Sequence, residues 1–195
     1  MIPIPLKLTK IKEFSHGKRS IIYTAVHKNK KVAIKIKKAS TQAQKVIEKE
    51  AKFLKELNRH GIGPKLIKST DKAVVYKFIE GPFFIDWIKD NPTDKTMIKK
   101  ILLQCREIDK LKINKREFTR PIKHIIIENN KPIFIDFERC YVTDNPQNVT
   151  QFCQFLLSNC IVKSNRKEIL PLLKQYKKNQ TNKNFKILLK QLLKE

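Results

Sequence analysis

Hydrophobic and polar residues alternate along the chain from residue 8 to residue 37. This two-residue period is typical of strands with one buried face. Turn residues interrupt the alternation twice. The pattern therefore predicts three antiparallel strands, at 8–14, 20–27 and 31–37.

The period changes to that of a helix after residue 40. Apolar residues recur three or four positions apart without Gly or Pro, which predicts an amphipathic helix at 41–59 that ends before Gly61. Alternation then returns and predicts two further strands, at 66–69 and 73–79. We therefore expect a β-rich region with one helix over residues 1–80.

Helical patterns dominate after Gly81. One strand pair interrupts them, at 125–128 and 132–136, and Asn148 is the expected N-cap of the helix that begins there. The sequence thus predicts an α+β protein with a β-rich part over 1–80 and a mainly helical part over 81–195. The predicted helices of the second part are 83–89, 93–111, 148–159, 166–176 and 182–194.

Length and composition exclude several classes of protein. The chain has 195 residues, of which 41% are hydrophobic and only 4 are Gly, so fibrous and collagen-like proteins and wholesale disorder are excluded. Its apolar runs are too short for a membrane span, and residues 1–10 lack the apolar region of a signal peptide. The four cysteines have no metal-ligand spacing. We expect reduced, mostly packed thiols in a cytoplasmic protein, with a disulfide between two of them as the alternative.

The chain is strongly basic, because 43 Lys and Arg against 18 Asp and Glu give a net charge of +25. Such a charge indicates a polyanionic partner, for which RNA or a ribonucleoprotein is the natural candidate. The excess is mostly lysine and is spread along the chain, whereas arginine is the usual fork for phosphates and base edges. A solvated surface explains diffuse lysine as well as a nucleic-acid partner does, and both interpretations stay open.

Lys35 ends the tetrapeptide Val-Ala-Ile-Lys in the third predicted strand, where Val32 and Ile34 share one face. The helix that follows carries Glu48 and Glu50. A strand lysine held by a helix glutamate is the arrangement that steadies ATP phosphates in protein kinases. We expect the Lys35 side chain to face a cleft. The alternative is an exposed lysine in a lysine-rich chain.

Asp136 follows an apolar strand and precedes Phe137. The end of a strand suits a metal-ligating carboxylate, because Mg²⁺ prefers oxygen ligands that are held still. The alternative is an aspartate that caps a turn. The order of a strand lysine, a helical glutamate and then this aspartate favours the metal.

Together these motifs resemble the protein-kinase-like superfamily in a minimal form. The chain looks most like small archaeal predicted serine/threonine protein kinases, distantly similar to RIO kinases and to the kinase subunit of the tRNA-modifying KEOPS complex, over residues 12–159. The resemblance implies a minimal bilobal fold, with a β-rich N-lobe and a reduced helical C-lobe. It assigns Lys35 and Glu50 to the phosphates and Asp136 to the metal.

The resemblance also implies further cofactor-binding residues. Gly17 and Lys18 take the place of the loop that covers the phosphates. Lys77, Phe78 and Ile79 resemble the hinge whose backbone hydrogen-bonds adenine in the family. ATP and Mg²⁺ are therefore the expected cofactors.

The chain departs from the family where a catalytic loop is expected. No His-Arg-Asp or His-Gly-Asp triplet precedes the predicted strand pair, and the usual position of the base falls on Thr119. Glu117 is the candidate base instead, and a surface glutamate is the alternative. His124 takes the place of the metal-binding Asn, with a hydrogen-bonded structural histidine as the alternative.

The resemblance thus implies an ATP-dependent phosphotransferase of the serine/threonine protein kinase type. It would transfer the γ-phosphate to a hydroxyl of a protein or a small molecule, with Lys35, Glu117 and Asp136 as catalytic residues. Two alternatives stay open. A pseudokinase that binds ATP without transfer is favoured by the missing triplet, and a basic adaptor for RNA or ribonucleoprotein is favoured by the net charge.

Overall fold

The structure is a computed structural model that describes residues 4–17, 19–38, 46–92 and 94–194. Within these ranges it contains a five-stranded antiparallel sheet, two two-stranded sheets and six α-helices, so the predicted α+β class is confirmed. The chain divides into two compact units. The first unit comprises Met1–Glu80 and Ile133–Cys140, and the second unit comprises Gly81–Pro132 and Tyr141–Glu195.

The first unit is built on the five-stranded sheet. The strands are β1 (Thr9–His16), β2 (Ser20–His27), β3 (Lys30–Lys37), β4 (Leu66–Ser69) and β5 (Ala73–Lys77), and the helix is α1 (Val46–Asn58). The strands lie in the order β1-β2-β3-β5-β4, so β3 is central and α1 connects β3 to β4.

The two faces of β3 have different neighbours. Val32 and Ile34 are fully buried on one face in a cluster with Ala25 and Val75, as the two-residue period predicts. Lys35 points to the opposite face, because it pairs in register with Val74 of β5. Val74 packs against Ile47 and Ala51 of α1, so this second face lies under the helix.

Phe137 anchors the segment 133–140 within the first unit, where it is 1% exposed. Gly63, with φ +82°, lies directly against it. A Cβ atom at Gly63 would come within 2.9 Å of both Phe137 and Leu54 of α1. Only glycine therefore satisfies both the backbone conformation and the packing at this position.

The rest of the chain is mainly helical. A short 3₁₀ turn, Arg116–Thr119, follows β6, and β6 pairs with β9 while β7 pairs with β8. None of the helices in the described ranges is long and apolar enough to cross a membrane. The elements are α2 (Phe84–Asp90), α3 (Lys95–Lys110), β6 (Ile113–Lys115), β7 (Ile125–Glu128), β8 (Lys131–Phe134), β9 (Cys140–Val142), α4 (Asn148–Ser158), α5 (Arg166–Lys178) and α6 (Asn182–Leu193).

Most predicted elements are present, with ends shifted by a few residues. The predicted strands at 20–27, 66–69 and 125–128 agree with the structure at both ends. The predicted starts of α1, at Thr41, and of α3, at Thr93, lie outside the described residues. The cysteines agree with the predicted thiols, because all four are free and Cys105, Cys140 and Cys153 are buried.

The prediction that Asn148 caps α4 with its side chain is wrong. Asn148 is the first residue of the helix and is fully buried, and its side chain is engaged elsewhere. Its Nδ2 group donates to Asp109 and to the carbonyl of Ile113, both at 2.7 Å, and its Oδ1 atom accepts from the backbone of Lys115 at 2.8 Å. The side chain thus joins α3, β6 and α4 instead of closing its own helix.

Asp109 of α3 takes the capping role. Its carboxylate accepts the backbone N–H groups of Asn148 at 2.9 Å and Val149 at 3.3 Å, which are donors of the first turn of α4. It also accepts the hydroxyl of Tyr176 at 3.0 Å. Burial raises the pKa of Asp109, and the hydrogen bonds from Asn148 and Tyr176 oppose the shift.

We expect Asp109→Asn to destabilise the protein by about 2–4 kcal/mol at neutral pH, because an amide NH₂ would face donors in a buried site. Urea unfolding followed by circular dichroism measures the change. Asp86→Asn is the matched control, since Asp86 is exposed on α2 and pairs only locally with Lys89. A loss for Asp109→Asn no larger than the control's would contradict this role.

Candidate active site

Lys35 is the centre of an ionic cluster in the first unit. Its side chain is 5% exposed, and its Nζ atom lies 2.7 Å from Glu50 Oε2, 2.9 Å from Asp136 Oδ1 and 3.3 Å from Glu138 Oε2. The alternative of an exposed lysine is therefore wrong, and the orientation of Lys35 toward a cleft stays a prediction. The ammonium group is buried among three carboxylates.

The pairing of Lys35 with Glu50 follows from two periodicities. Lys35 lies on the face of β3 that α1 covers. Ile47, Glu50 and Leu54 recur three and four residues apart along α1 and are all buried, so the glutamate lies on the sheet-facing side of the helix. Strand register and helix phase thus bring the two side chains together beneath α1.

Asp136 reaches the cluster from the segment that follows β8. Its backbone is in the left-handed region with φ 63°, a conformation that aspartate tolerates better than most residues. The buried ring of Phe137 fixes the next position. The Asp136 side chain is 35% exposed, compared with 2% for Glu50, so it is the most accessible carboxylate of the three. Backbone strain of this kind is common where a side chain must be aimed at a ligand.

Glu138 connects the cluster to the turn between β1 and β2. One carboxylate oxygen lies 3.3 Å from Lys35 Nζ, and the other accepts from Arg19 Nη1 at 3.0 Å. Arg19 itself is 45% exposed. One oxygen of each of Glu50, Asp136 and Glu138 lies within 4.8 Å of the other two. Three carboxylates therefore share two cations.

The electrostatics favour a permanently charged lysine. Burial lowers the pKa of Lys35, but attraction to Glu50 and Asp136 outweighs it, and the pKa lies well above the usual lysine value. Burial raises the pKa of Glu50 above its usual value, and the adjacent Lys35 ammonium offsets only part of this increase. When its three carboxylates are ionised, the cluster carries a net negative charge and can bind an additional cation. Its own two cations can bind a phosphate group.

The turn between β1 and β2 contains the other predicted phosphate ligands. The backbone N–H of Gly17 donates to the carbonyl of Ser20 at 2.9 Å and so closes the turn. A Cβ atom at Gly17 would lie 3.1 Å from that same oxygen, which makes the position tight for any larger residue. Lys18 lies outside the described residues. Arg19 is thus the cation of this turn that the structure connects to the cluster.

The predicted hinge residues follow β5. The backbone N–H of Lys77 donates to Lys65 at 2.9 Å, and that of Phe78 donates to Lys31 at 3.2 Å. Both N–H groups therefore already have protein acceptors. Ile79 is 9% exposed, and the ring of Phe78 meets that of Phe14 edge-on, with ring centroids 5.1 Å apart. Their part in binding adenine stays a prediction.

Glu117 lies in the second unit, on the 3₁₀ turn after β6. Its side chain is 3% exposed, and its Oε2 atom accepts from Lys115 Nζ at 3.1 Å. Lys115 is fully buried. The alternative of a surface glutamate is therefore wrong, and the role of base stays a prediction for a carboxylate held in a buried ion pair.

The remaining residues of the predicted catalytic loop also lie in the second unit. Thr119 is exposed, and its hydroxyl donates to the carbonyl of Arg116 at 3.1 Å. His124 is partly buried, and its backbone N–H donates to Pro121 at 3.2 Å. Arg120 and Lys123 are exposed between them. The metal-binding role of His124 stays a prediction.

Sequence reasoning missed the ionic role of two residues. Glu138 has no role in the sequence analysis, although an acid two positions after Asp136 in a turn can reach the same cation. Lys115 has no role in the sequence analysis either, although it lies two residues before Glu117, at the end of β6 and next to the 3₁₀ turn that carries the glutamate. An acid or base at that spacing beside a candidate residue is the signal that was available.

Two comparisons with known proteins found no relative of this chain. No protein-family model matches the chain, and a search of curated proteins found no match. The interpretation of the site therefore depends on the residues themselves and on their contacts.

We expect Lys35→Met to destabilise the first unit by about 3–5 kcal/mol near pH 8, because a buried Glu50 loses the ammonium that compensates its charge. Without Lys35 the pKa of Glu50 rises further, so the folded variant holds a proton that the unfolded chain releases. Its stability is then greatest at acidic pH and falls as the pH rises through the raised pKa. Chemical denaturation from pH 5 to pH 8 measures this slope.

The control for this variant is Lys31→Met. Lys31 pairs with Glu80 at the surface, where the side chains are 50% and 64% exposed, and such pairs contribute about 0–1 kcal/mol. An equal loss of stability at pH 5 and pH 8 for Lys35→Met would show that packing and not charge compensation dominates.

Proposed function

We propose that this protein is an ATP-dependent phosphotransferase of the serine/threonine protein kinase type. It transfers the γ-phosphate of ATP to a hydroxyl with the assistance of Mg²⁺. The observation that carries the proposal is the Lys35 ammonium held between Glu50 of α1 and Asp136. A strand lysine, a helix glutamate and an aspartate after a later strand are the parts that kinases use to place phosphates and metal.

The order of elements supports a bilobal kinase-like fold as part of the proposal. A five-stranded antiparallel sheet with one helix between its third and fourth strands precedes a mainly helical region. The segment that carries Asp136 returns to the sheet-containing unit after two helices and two strands of the second unit. In this interpretation the first unit is the N-lobe, with the metal-binding segment contributed from later in the chain.

The cations of the cluster suit a polyphosphate. Lys35 would contact the phosphates as a point charge, and Glu50 would keep it in place. Arg19 adds a planar fork that can bind a phosphate through two hydrogen bonds. The two cations approach the same carboxylate of Glu138, so one phosphate group can bind both.

The carboxylates of the cluster suit Mg²⁺. The ion prefers oxygen ligands, and Asp136 offers the most accessible carboxylate while Glu138 lies beside it. A bound Mg²⁺ would neutralise phosphate charge and withdraw electron density from the reacting phosphoryl group. Asp136 would hold it and orient the phosphates. Lys35 and Arg19 would hold the non-bridging oxygens.

Glu117 is the proposed base for the acceptor hydroxyl, on a protein or on a small molecule. A general base contributes modestly when the transition state of phosphoryl transfer is loose. The carboxylate pairs with the buried Lys115, so Glu117→Gln would leave an uncompensated ammonium. We therefore expect that variant to affect stability before it affects the chemical step.

Two other functions have a specific observation in their favour. The absence of a His-Arg-Asp triplet favours a pseudokinase that binds ATP without turnover. The net charge of +25 favours a basic adaptor for RNA or ribonucleoprotein. ATP binding with no transfer to any hydroxyl acceptor supports the first. RNA binding that weakens steeply with salt and is indifferent to ATP supports the second.

Asp136→Asn is expected to reduce Mg²⁺-dependent phosphoryl transfer by about a hundredfold or more, because the amide cannot replace the charge of the metal ligand. Transfer is measured with γ-labelled ATP as autophosphorylation, release of phosphate or labelling of added hydroxyl acceptors. Binding of ATP in the presence of a chelator should survive the change. Asp71→Asn, at an exposed turn of the same unit, is the control. Full transfer by Asp136→Asn would refute the assigned metal site.

A further inference from the structure

We propose that Glu138 is an internal substitute for phosphate, which a polyphosphate must displace to bind. The inference deepens the proposed function and rests on it, since it concerns the same cluster. It assigns to Glu138 a role in setting affinity that differs from the roles of Glu50 and Asp136. The ligand class is a polyphosphate anion, either as a nucleotide or as an inorganic chain.

Glu138 bridges the two cations of the cluster. Its two carboxylate oxygens contact two different cations, Arg19 Nη1 at 3.0 Å and Lys35 Nζ at 3.3 Å. Those cations come from the β1–β2 turn and from β3 and converge on this one group. Carboxylate and phosphate accept from lysine and arginine in the same way, with two oxygens on one centre. Glu138 therefore occupies the position that a phosphate group would take between them.

The three carboxylates of the cluster differ in their exposure and in their distance from Lys35. Glu50 is 2% exposed and has the shortest contact to Lys35, so it is the permanent partner. Glu138 has the longest contact, lies in the turn after Phe137 and is 11% exposed. Its departure leaves Lys35 with two acidic partners, which maintains the compensation of the buried ammonium. Glu138 is thus the carboxylate whose departure removes the least charge compensation from Lys35.

The cluster has more acidic than basic groups. Lys35 and Arg19 together carry two positive charges, and Glu50, Asp136 and Glu138 carry three negative ones when ionised. A polyphosphate without a metal ion approaches a cluster of its own sign. Neutralising Glu138 removes both the repulsion and the competitor. The apparent affinity is reduced by the fraction of molecules in which the site is already filled.

A purely structural ion pair would behave differently. If Glu138 served only to hold Arg19 and Lys35, its neutralisation would loosen the β1–β2 turn and weaken the binding of any anion. The two roles therefore predict opposite signs for the change in affinity. The sign can be measured without any assay of activity.

The experiment compares Glu138→Gln with Glu56→Gln and the wild type. Glu56 is a partly exposed residue of α1 in the same unit and pairs with Arg59, so this control removes the same charge away from the cluster. Isothermal titration calorimetry with ATP and with inorganic tripolyphosphate, in a chelator and at low salt, gives the dissociation constants. We expect Glu138→Gln to bind both anions roughly three- to tenfold more tightly, and Glu56→Gln to stay within about twofold of the wild type.

Glu138→Ala is the second variant, which removes the competing group altogether and must act in the same direction. The thermal unfolding temperature of each variant is recorded to confirm that it is folded. Unchanged or weaker binding of tripolyphosphate by both variants, including a failure to bind at all, overturns the inference. Tightening by both variants, without a comparable change in Glu56→Gln, supports it.

The outcome for the proposed function is read separately. Tightening for tripolyphosphate with no preference for ATP, and no transfer from ATP, supports the role of Glu138 and refutes the ATP-dependent function. ATP binding and transfer by the wild type, without tighter binding in the variants, supports the ATP-dependent function and refutes the role of Glu138. The two probes therefore distinguish the failure of one from the failure of the other.

Discussion

A buried ammonium group must be compensated, and the first unit is arranged around that constraint. Lys35 lies on the face of the sheet that α1 covers, so its charge is removed from water as soon as the helix packs. Glu50 compensates it only if strand register and helix phase are both correct, and Asp136 only if Phe137 is seated beside Gly63. The ion pair thus depends on three separate segments of the chain. Breaking such a pair costs more than making it gains, so it selects one arrangement of those segments.

The cluster is acidic in a protein that is strongly basic. The chain has only 18 Asp and Glu residues, and three of them contact the ammonium group of Lys35. The net charge of +25 attracts polyanions over a distance that salt shortens, whereas the local carboxylates oppose an anion that arrives without a cation. The two effects act at different ranges. Under the proposed function, a diffuse lysine surface would therefore raise the rate of encounter with a polyphosphate, and the cluster would decide which anions remain bound.

Much of the fold and part of the site could be predicted from the sequence. Alternation located the strands, and the resemblance to kinases paired Lys35 with Glu50, which lie 2.7 Å apart in the structure. The three-residue strands β6 and β9 were missed because they are too short for a period. Glu138 and Lys115 were missed because their contacts depend on turn geometry, which no periodicity records. The Asn148 prediction failed because its side chain serves α3 and β6 instead of its own helix.

The second unit uses the same physics around the predicted catalytic loop. Asn148 and Asp109 connect α3, β6 and the start of α4 through buried hydrogen bonds, and Asn114 accepts from the backbone of Gln147 at 2.7 Å. The next residue after Asn114 is Lys115, which compensates Glu117 at the beginning of the loop. Polar networks of this kind tolerate little displacement, because each unpaired member is costly in a buried site. Glu117 is thus held by Lys115, whose backbone N–H donates to Asn148, and Asn148 donates in turn to Asp109.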